Sequence, residues 1–374
     1  ICHATSDDLV SFEKDRRNPI LRPDSAIFGQ TDWRDPFVFW NDEEHCYWML
    51  ISTRTAGGPE PAKGCLAVSR SGTLAGWTAP EPLYSTLFTH CPECPEMFGL
   101  GNRVWLAYSR YSDRRQTVVR VADNPRGPWR RPSREALDGE QWYAAKSLRD
   151  DRGRRIAFGW VPDLPVPPAT EWLWGGDLGL PRELYVGTDG EIAGRIPEPV
   201  AATLGTPANW KLGSRSRSWT RDGFDLIVDA RTGPARLVVA LDGPREDFAV
   251  SCTLDGDFDT AGIVIGDTDG LSSGLAVVVC RPEQVARIVD LSTPADGQVA
   301  YSPVVEQRLS ADATGTIDLT VSVRGDIVEA FLGDGTCLTR RLGEHDRERG
   351  RGAFAVLADA ARMTFRDVTV RVPG

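Results

Sequence analysis

No apolar run in the 374-residue sequence approaches the roughly 18 uninterrupted residues that a membrane-spanning helix needs, which argues against a helical membrane protein. Basic clusters are scarce too. Lys and Arg total 43 against 53 Asp and Glu, for a net charge of −10, and the cations are scattered, so phosphate backbones and acidic membranes are poor partners. The two short Arg-rich stretches, RGRR at 152–155 and DRERGRG from Asp346, read as solvated turns. Histidine is limited to four residues, and a single Cys-x-x-Cys spacing occurs, at Cys91 and Cys94. A closed structural zinc site takes four ligands, so neither a metal nor a cofactor is expected. The eight cysteines lie too far apart for the framework of a small disulfide-stapled domain, and most are expected as buried thiols. This favours a cytoplasmic over a secreted setting, with the location otherwise unknown. No Met opens the sequence and no signal-peptide pattern follows Ile1, so it reads as a mature product or a fragment.

What is present divides into two halves. All twelve Trp fall between Trp33 and Trp219, and six of the seven Tyr precede residue 200. The stretch from Pro197 to Ser218 is rich in Pro, Gly and Ser and poor in periodicity. Residues 201–218 are therefore expected to link a first domain, 1–200, to a second, 219–374. Both read as β. Phe248, Val250, Cys252 and Leu254 alternate with polar neighbours, as do Ile317, Leu319, Val321 and Val323, the period of half-buried strands. Asp-Gly pairs at 255–256 and 334–335 are expected as turns of an all-β sandwich.

The first half carries a weak repeat. WRDPFVF from Trp33, ECPEMF from Glu93 and WYAAKSL from Trp142 recur at 60 and 49 residues. A second series, from His3, Leu66 and Val119, runs in step at 63 and 53. A period of about fifty suggests four-stranded propeller blades, whose innermost strands converge on one channel. Asp35, Glu93 and the segment from Tyr143 to Lys146 would then meet. Paired carboxyl groups are what glycosidic cleavage needs, one to protonate the leaving oxygen and one across the sugar ring. Crowded carboxylates would raise one another's pKa and keep a general acid protonated. A neutral sugar also suits the acidic charge. Trp33, Trp142, Trp160 and Trp174 could stack on sugar faces, although core packing is the default for any one of them.

At these residues the sequence resembles glycoside hydrolase family 32. WRDPFVF looks like the family's Arg-Asp-Pro motif and ECPEMF like its Glu-Cys-Pro motif. WYAAKSLRDDRGRRIAFGW at 142–160, LPREL at 180–184 and DIVEAFLGDGTCLTRRL at 326–342 match in order and spacing. The resemblance implies a five-bladed β-propeller followed by a β-sandwich. It also implies a retaining hydrolase that cleaves terminal β-fructofuranosyl units of sucrose or fructans. Glu93 would be the acid/base and Asp35 the stabiliser that holds fructose hydroxyls. Arg34 would help hold the sugar and Tyr143 and Lys146 would lie near the pocket wall, while Trp33, Trp160 and Trp174 are the substrate contacts expected from their aromatic chemistry.

The family's nucleophile is an Asp in an Asn-Asp-Pro or related motif, and none of Asp7, Asp8 or Asp15 has that context. The segment before WRDPFVF therefore reads as the outer part of a second blade, with about a hundred residues of propeller absent from the sequence. A companion chain, cleavage or degeneration would each account for this. Transfer of fructose to a sugar, or fructan binding without catalysis, are the alternative functions. Action on arabinose polymers is counted against by the sandwich and the Glu-Cys-Pro motif.

Overall fold

The computed structural model describes residues 1–112, 114–163, 175–215, 219–241, 247–265, 273–292, 300–311, 313, 315–343, 353–359 and 361–373. It is an all-β chain of propeller blades and a β-sandwich. By compactness it forms two units, one of Ile1–Glu135 with Ala144–Lys146, the other of Ala136–Tyr143 with Ser147–Gly374.

In the first unit a short hairpin, β1 (Ala4–Thr5) and β2 (Glu13–Lys14), precedes two antiparallel sheets. The first sheet is β3 (Arg34–Asn41), β4 (Cys46–Arg54), β5 (Gly64–Ser71) and β6 (Glu81–Ser85), paired in that order. The second is β7 (Glu93–Leu100), β8 (Arg103–Arg110) and β9 (Gln116–Ala122). Central strands lie between neighbours and carry apolar side chains on both faces, which is why β4 opens with CYWMLI and β5 with GCLAV before turning polar. Trp48, Leu50, Leu66 and Val68 pack with Met97 and Leu106, joining one sheet face to the next. On the other face Leu21, Phe28, Met49, Ile51 and Cys65 form a second cluster.

A further blade sheet, in the second unit apart from residues 144–146, holds β10 (Tyr143–Arg149), β11 (Arg155–Pro162), β12 (Gly176–Leu178), β13 (Arg182–Val186) and β14 (Ile192–Arg195). The repeat seen in the sequence thus has a structural meaning. WRDPFVF, ECPEMF and WYAAKSL each supply the first strand of a sheet, while Leu66 and Val119 both lie on third strands.

A four-residue helix, α1 (Glu198–Ala201), leads to the sandwich. Its strands are β15 (Thr206–Pro207), β16 (Trp210–Arg215), β17 (Trp219–Asp222), β18 (Asp225–Asp229), β19 (Ala235–Leu241), β20 (Phe248–Asp257), β21 (Thr260–Ile265), β22 (Ser273–Cys280), β23 (Val285–Ser292), β24 (Ala300–Arg308), β25 (Ile317–Arg324), β26 (Ile327–Leu332), β27 (Cys337–Arg341), β28 (Ala353–Asp359) and β29 (Arg362–Val372). One sheet runs β17-β18-β29-β20-β25-β26-β27 with β15 beside β29, and the other β16-β19-β28-β21-β22-β23-β24. Val250, Leu319 and Val321 of the first meet Leu237, Ile263, Val277 and Val356 of the second in one core. Within 201–218, read from sequence as a linker, Trp210–Arg215 is a strand because Trp210 enters that core.

Two alternating runs singled out by sequence are partners. Phe248 lies opposite Val323, Val250 opposite Val321, Cys252 opposite Leu319 and Leu254 opposite Ile317. Asp334-Gly335 forms the expected turn between β26 and β27. Asp255-Gly256 does not turn; it continues β20 opposite Thr364 and Met363. Gly256 has φ of 114°, and a Cβ there would lie 2.6 Å from the Arg362 carbonyl oxygen, so close backbone approach explains this glycine.

Candidate active site

The candidate site is built by one local distortion used repeatedly. In a regular strand, consecutive side chains point to opposite faces. In β3 the register with β4 slips between Arg34 and Phe37, and in β7 the register with β8 slips between Glu93 and Glu96. Each slip sets one extra residue against the partner strand, a β-bulge that re-aims its side chains. The second residue of each first strand is left-handed: Asp35 at φ 52°, Cys94 at 49° and Ala144 at 52°. None is glycine, so the same costly backbone state is held three times. The bulges align Glu93 with Arg34 and Cys94 with Asp35, one residue out from the 60-residue motif spacing, which set Glu93 against Trp33.

These bulges bring the two carboxyl groups to one guanidinium. Arg34 Nη2 donates to Glu93 Oε1 at 2.9 Å, and Arg34 Nε lies 3.9 Å from Asp35 Oδ2. The Cys94 backbone N–H donates to the same Asp35 oxygen at 2.9 Å, tying the two strands together. All three side chains keep access to solvent, at 34% for Arg34, 28% for Asp35 and 24% for Glu93, as reacting groups require. Lys146, from the third of the repeated strands, donates to the Pro95 carbonyl at 2.6 Å and lies 4.8 Å from the centre of the Phe37 ring. Burial pushes its ammonium group below its ordinary pKa, against the pull of Cys94, Glu96 and Asp35.

Sequence reasoning missed the charges behind this cluster. Asp32 contacts both Arg34 Nη1 and Arg54 Nε. Arg54 reaches Glu60 at 2.7 Å, and Glu60 in turn meets Lys63 at 2.9 Å and His90 at 3.5 Å. Charge therefore alternates from the surface to Glu93. Burial alone would raise the Asp32 carboxyl, but Arg34 and Arg54 hold it below its ordinary value. Burial would lower the Arg34 guanidinium, but Glu93 and Asp32 lift it above its own. The sequence reading of crowded carboxylates did not include the guanidinium that meets both Asp35 and Glu93. The Tyr111 phenol, pushed up by burial and by Cys91, Asp32 and Glu93, also interacts with Arg34.

The other sequence candidates are placed as follows. Trp33 packs against the Leu21, Phe28, Met49 cluster, its ring 5.3 Å from that of Phe28. Tyr143 and Trp160 belong to the second unit. Tyr143 is 6% exposed, and half-buried Trp160 donates through Nε1 to the Gly175 carbonyl at 3.2 Å. Trp174 lies outside the described residues. The Cys91 and Cys94 thiols are not bonded to each other, and burial pushes them up to about 12 and about 11, so thiolate chemistry is disfavoured. Among the described residues no group of three or more His, Cys, Asp or Glu is arranged to hold a metal ion.

LPREL and the C-terminal signature have a different task, met wholly within the second unit. Fully buried Arg182 uses Nη2 to contact Asp138 Oδ2 at 2.5 Å, Thr339 Oγ1 at 2.6 Å and Glu329 Oε1 at 3.5 Å. Its guanidinium lies 4.1 Å from the centre of the buried Trp142 ring. Thr339 N–H and Oγ1 donate to Asp138 at 2.9 and 2.7 Å, and Leu180 N–H reaches Glu329 at 2.9 Å. Arg341 bonds Asp326, Asp177 and the carbonyls of Val161 and Pro162. These motifs lock the blade sheet to the β26-β27 hairpin.

A family model described as "Glycosyl hydrolases family 32 N-terminal domain" matches residues 1–194. The chain is 32% identical over 215 residues to raffinose invertase of Escherichia coli, covering 52% of this chain and 41% of that protein. It is 27% identical over 430 aligned positions to fructan 1-exohydrolase of Triticum urartu, covering 98% of this chain and 67% of that one. The chain spans about two fifths of the length of E. coli raffinose invertase and of E. coli sucrose-6-phosphate hydrolase. Among solved structures, an exo-inulinase from Aspergillus awamori superposes with a TM-score of 0.68 at 19% identity, covering 98% of this chain and 72% of that one. A Bombyx mori beta-fructofuranosidase gives 0.65 at 19%, covering 99% and 71%. At such identities the structural likeness speaks to the fold.

Proposed function

Because the chain belongs to glycoside hydrolase family 32, we propose that the full-length protein releases terminal β-fructofuranosyl units from sucrose or fructans, using Glu93 as acid/base and Asp35 to grip the fructose. The observation that carries this reading is the joining of Glu93 and Asp35 through Arg34 by two matching bulges. Glu93, protonated, gives its proton to the glycosidic oxygen as the bond to the fructose anomeric carbon breaks. As a carboxylate it then takes a proton from the incoming water. Asp35, oriented by the Cys94 N–H, accepts hydrogen bonds from sugar hydroxyls. These strengthen as the ring gains oxocarbenium character. Arg34 holds both carboxyl groups in register.

A retaining route also needs a carboxylate nucleophile on the opposite face of the sugar. We assign that role to no residue of this chain. Asp8 accepts backbone hydrogen bonds from Val10 and Ser11, and Asp15 pairs with Arg17 and His3. The names of the matched relatives, invertase and fructan exohydrolase, support sucrose and fructans as the substrate class.

Product chromatography after incubating the full-length protein with sucrose, inulin, levan and arabinan tests the reading. Free fructose from chain ends is expected. Longer fructose oligomers would make the protein a transferase, calorimetric binding without products a fructan-binding module, and arabinose release would overturn the assignment.

A further inference from the structure

We infer that Asp32 is the positioning residue of this site, fixing the Arg34 guanidinium in the orientation that reaches Glu93. Each of the three guanidinium nitrogens faces a different carboxylate, with Nε and Nη2 sharing one edge. Nη1 meets Asp32, Nη2 meets Glu93 and Nε faces Asp35. A planar cation among three anions has several competing orientations, and which one persists depends on which anion is itself held.

Asp32 is that anion. Its second oxygen meets Arg54 Nε, and Arg54, the last residue of β4, is anchored at its far end by Glu60. Asp32 also has φ of 57° and precedes Trp33, whose ring is packed in the Leu21, Phe28, Met49 cluster. Backbone, neighbour and counter-charge thus all immobilise this carboxylate, whose side chain is 14% exposed against 28% for Asp35 and 24% for Glu93. Of the three carboxyl groups around Arg34, Glu93 and Asp35 are the more exposed. The competing role is neutralisation of Arg54 alone, in which case Arg34 would keep its pose without Asp32.

The inference rests on the proposed reaction for its kinetic arm and stands apart from it in its spectroscopic one. In the full-length protein labelled with 15N-arginine, Arg34 held at Nη1 and Nη2 should show slowed guanidinium rotation, with separate Nη signals. Asp32→Asn should merge them, Asp32→Glu should keep them, and Asp15→Asn, a carboxylate paired elsewhere, should leave them unaltered. Arg54→Gln, which frees Asp32 from behind, should loosen Arg34 as Asp32→Asn does, and it stands in should Asp32→Asn fail to fold. On sucrose, Asp32→Asn should lower kcat at least about tenfold with KM little changed, with partial recovery in Asp32→Glu. Unaltered Arg34 signals in Asp32→Asn or Arg54→Gln would overturn the inference. Absence of hydrolysis by the unsubstituted protein would instead overturn the functional reading, and the guanidinium signals would still decide the role of Asp32.

Discussion

Replacing Arg182 by Leu removes a cation shared by Asp138 and Glu329, both essentially without solvent contact, and takes the guanidinium from the Trp142 face. Stripping a buried ionic cluster of one partner costs about 3–5 kcal/mol, because the desolvated charges left behind have no compensation. For a unit of this size that corresponds to a fall in Tm of about 6–20 °C. The loss should depend on pH in a definite direction. Burial already raises the Glu329 carboxyl above its ordinary value, and Arg182 opposes that rise. Without Arg182 the folded state binds the Glu329 proton more tightly than the unfolded chain does. A folded pKa above the unfolded one contributes stability that is present below the unfolded value and lost as pH rises through the folded value. Arg182→Leu should therefore be less damaging at pH 5 than at pH 8. Calorimetric melts at both pH values, with far-ultraviolet circular dichroism to confirm a native strand signal, provide the test. A Tm loss below about 2 °C, or an equal loss at the two pH values, would refute the reasoning.

Other substitutions probe neighbouring links. Gly159→Ala places a Cβ 2.2 Å from the Trp142 ring and should destabilise by about 1–3 kcal/mol in thermal melts. Asp35→Asn keeps shape and removes charge, and it should lower kcat/KM on sucrose by about a hundredfold or more while Tm stays near that of the parent. Lys146 has a depressed folded pKa, so its protonation opposes folding as pH falls. Lys146→Met removes that penalty, and urea unfolding should show the stability of the parent relative to this variant increasing between pH 7 and pH 10.

The sequence made the strands legible wherever side-chain alternation had a buried face to report. β20 and β25 are the clearest case, their inward residues facing one another pair by pair. Glu93 and Asp35 were legible as motif residues, but their geometry was not. Positive φ is usually announced by glycine, and the bulges rest instead on Asp35, Cys94 and Ala144, which give no such signal. Asp32 and Arg54 went unnoticed because a charge just before or at the end of a strand resembles any solvated charge until its partner, 22 residues away, is known. Of the Trp candidates for sugar stacking, half-buried Trp33 packs against a core cluster and buried Trp142 lies under Arg182. An indole is equally suited to either task, and only packing tells them apart. Asp255-Gly256 misled for a related reason: the glycine serves backbone contact rather than reversal.

The most direct test of the central claim is fructose release from sucrose and inulin by the full-length protein carrying Glu93→Gln. This substitution preserves volume and removes the transferable proton. If Glu93 is the acid/base, the rate should fall by about 10²–10⁴-fold with the melting profile intact. Turnover close to that of the parent would contradict the account.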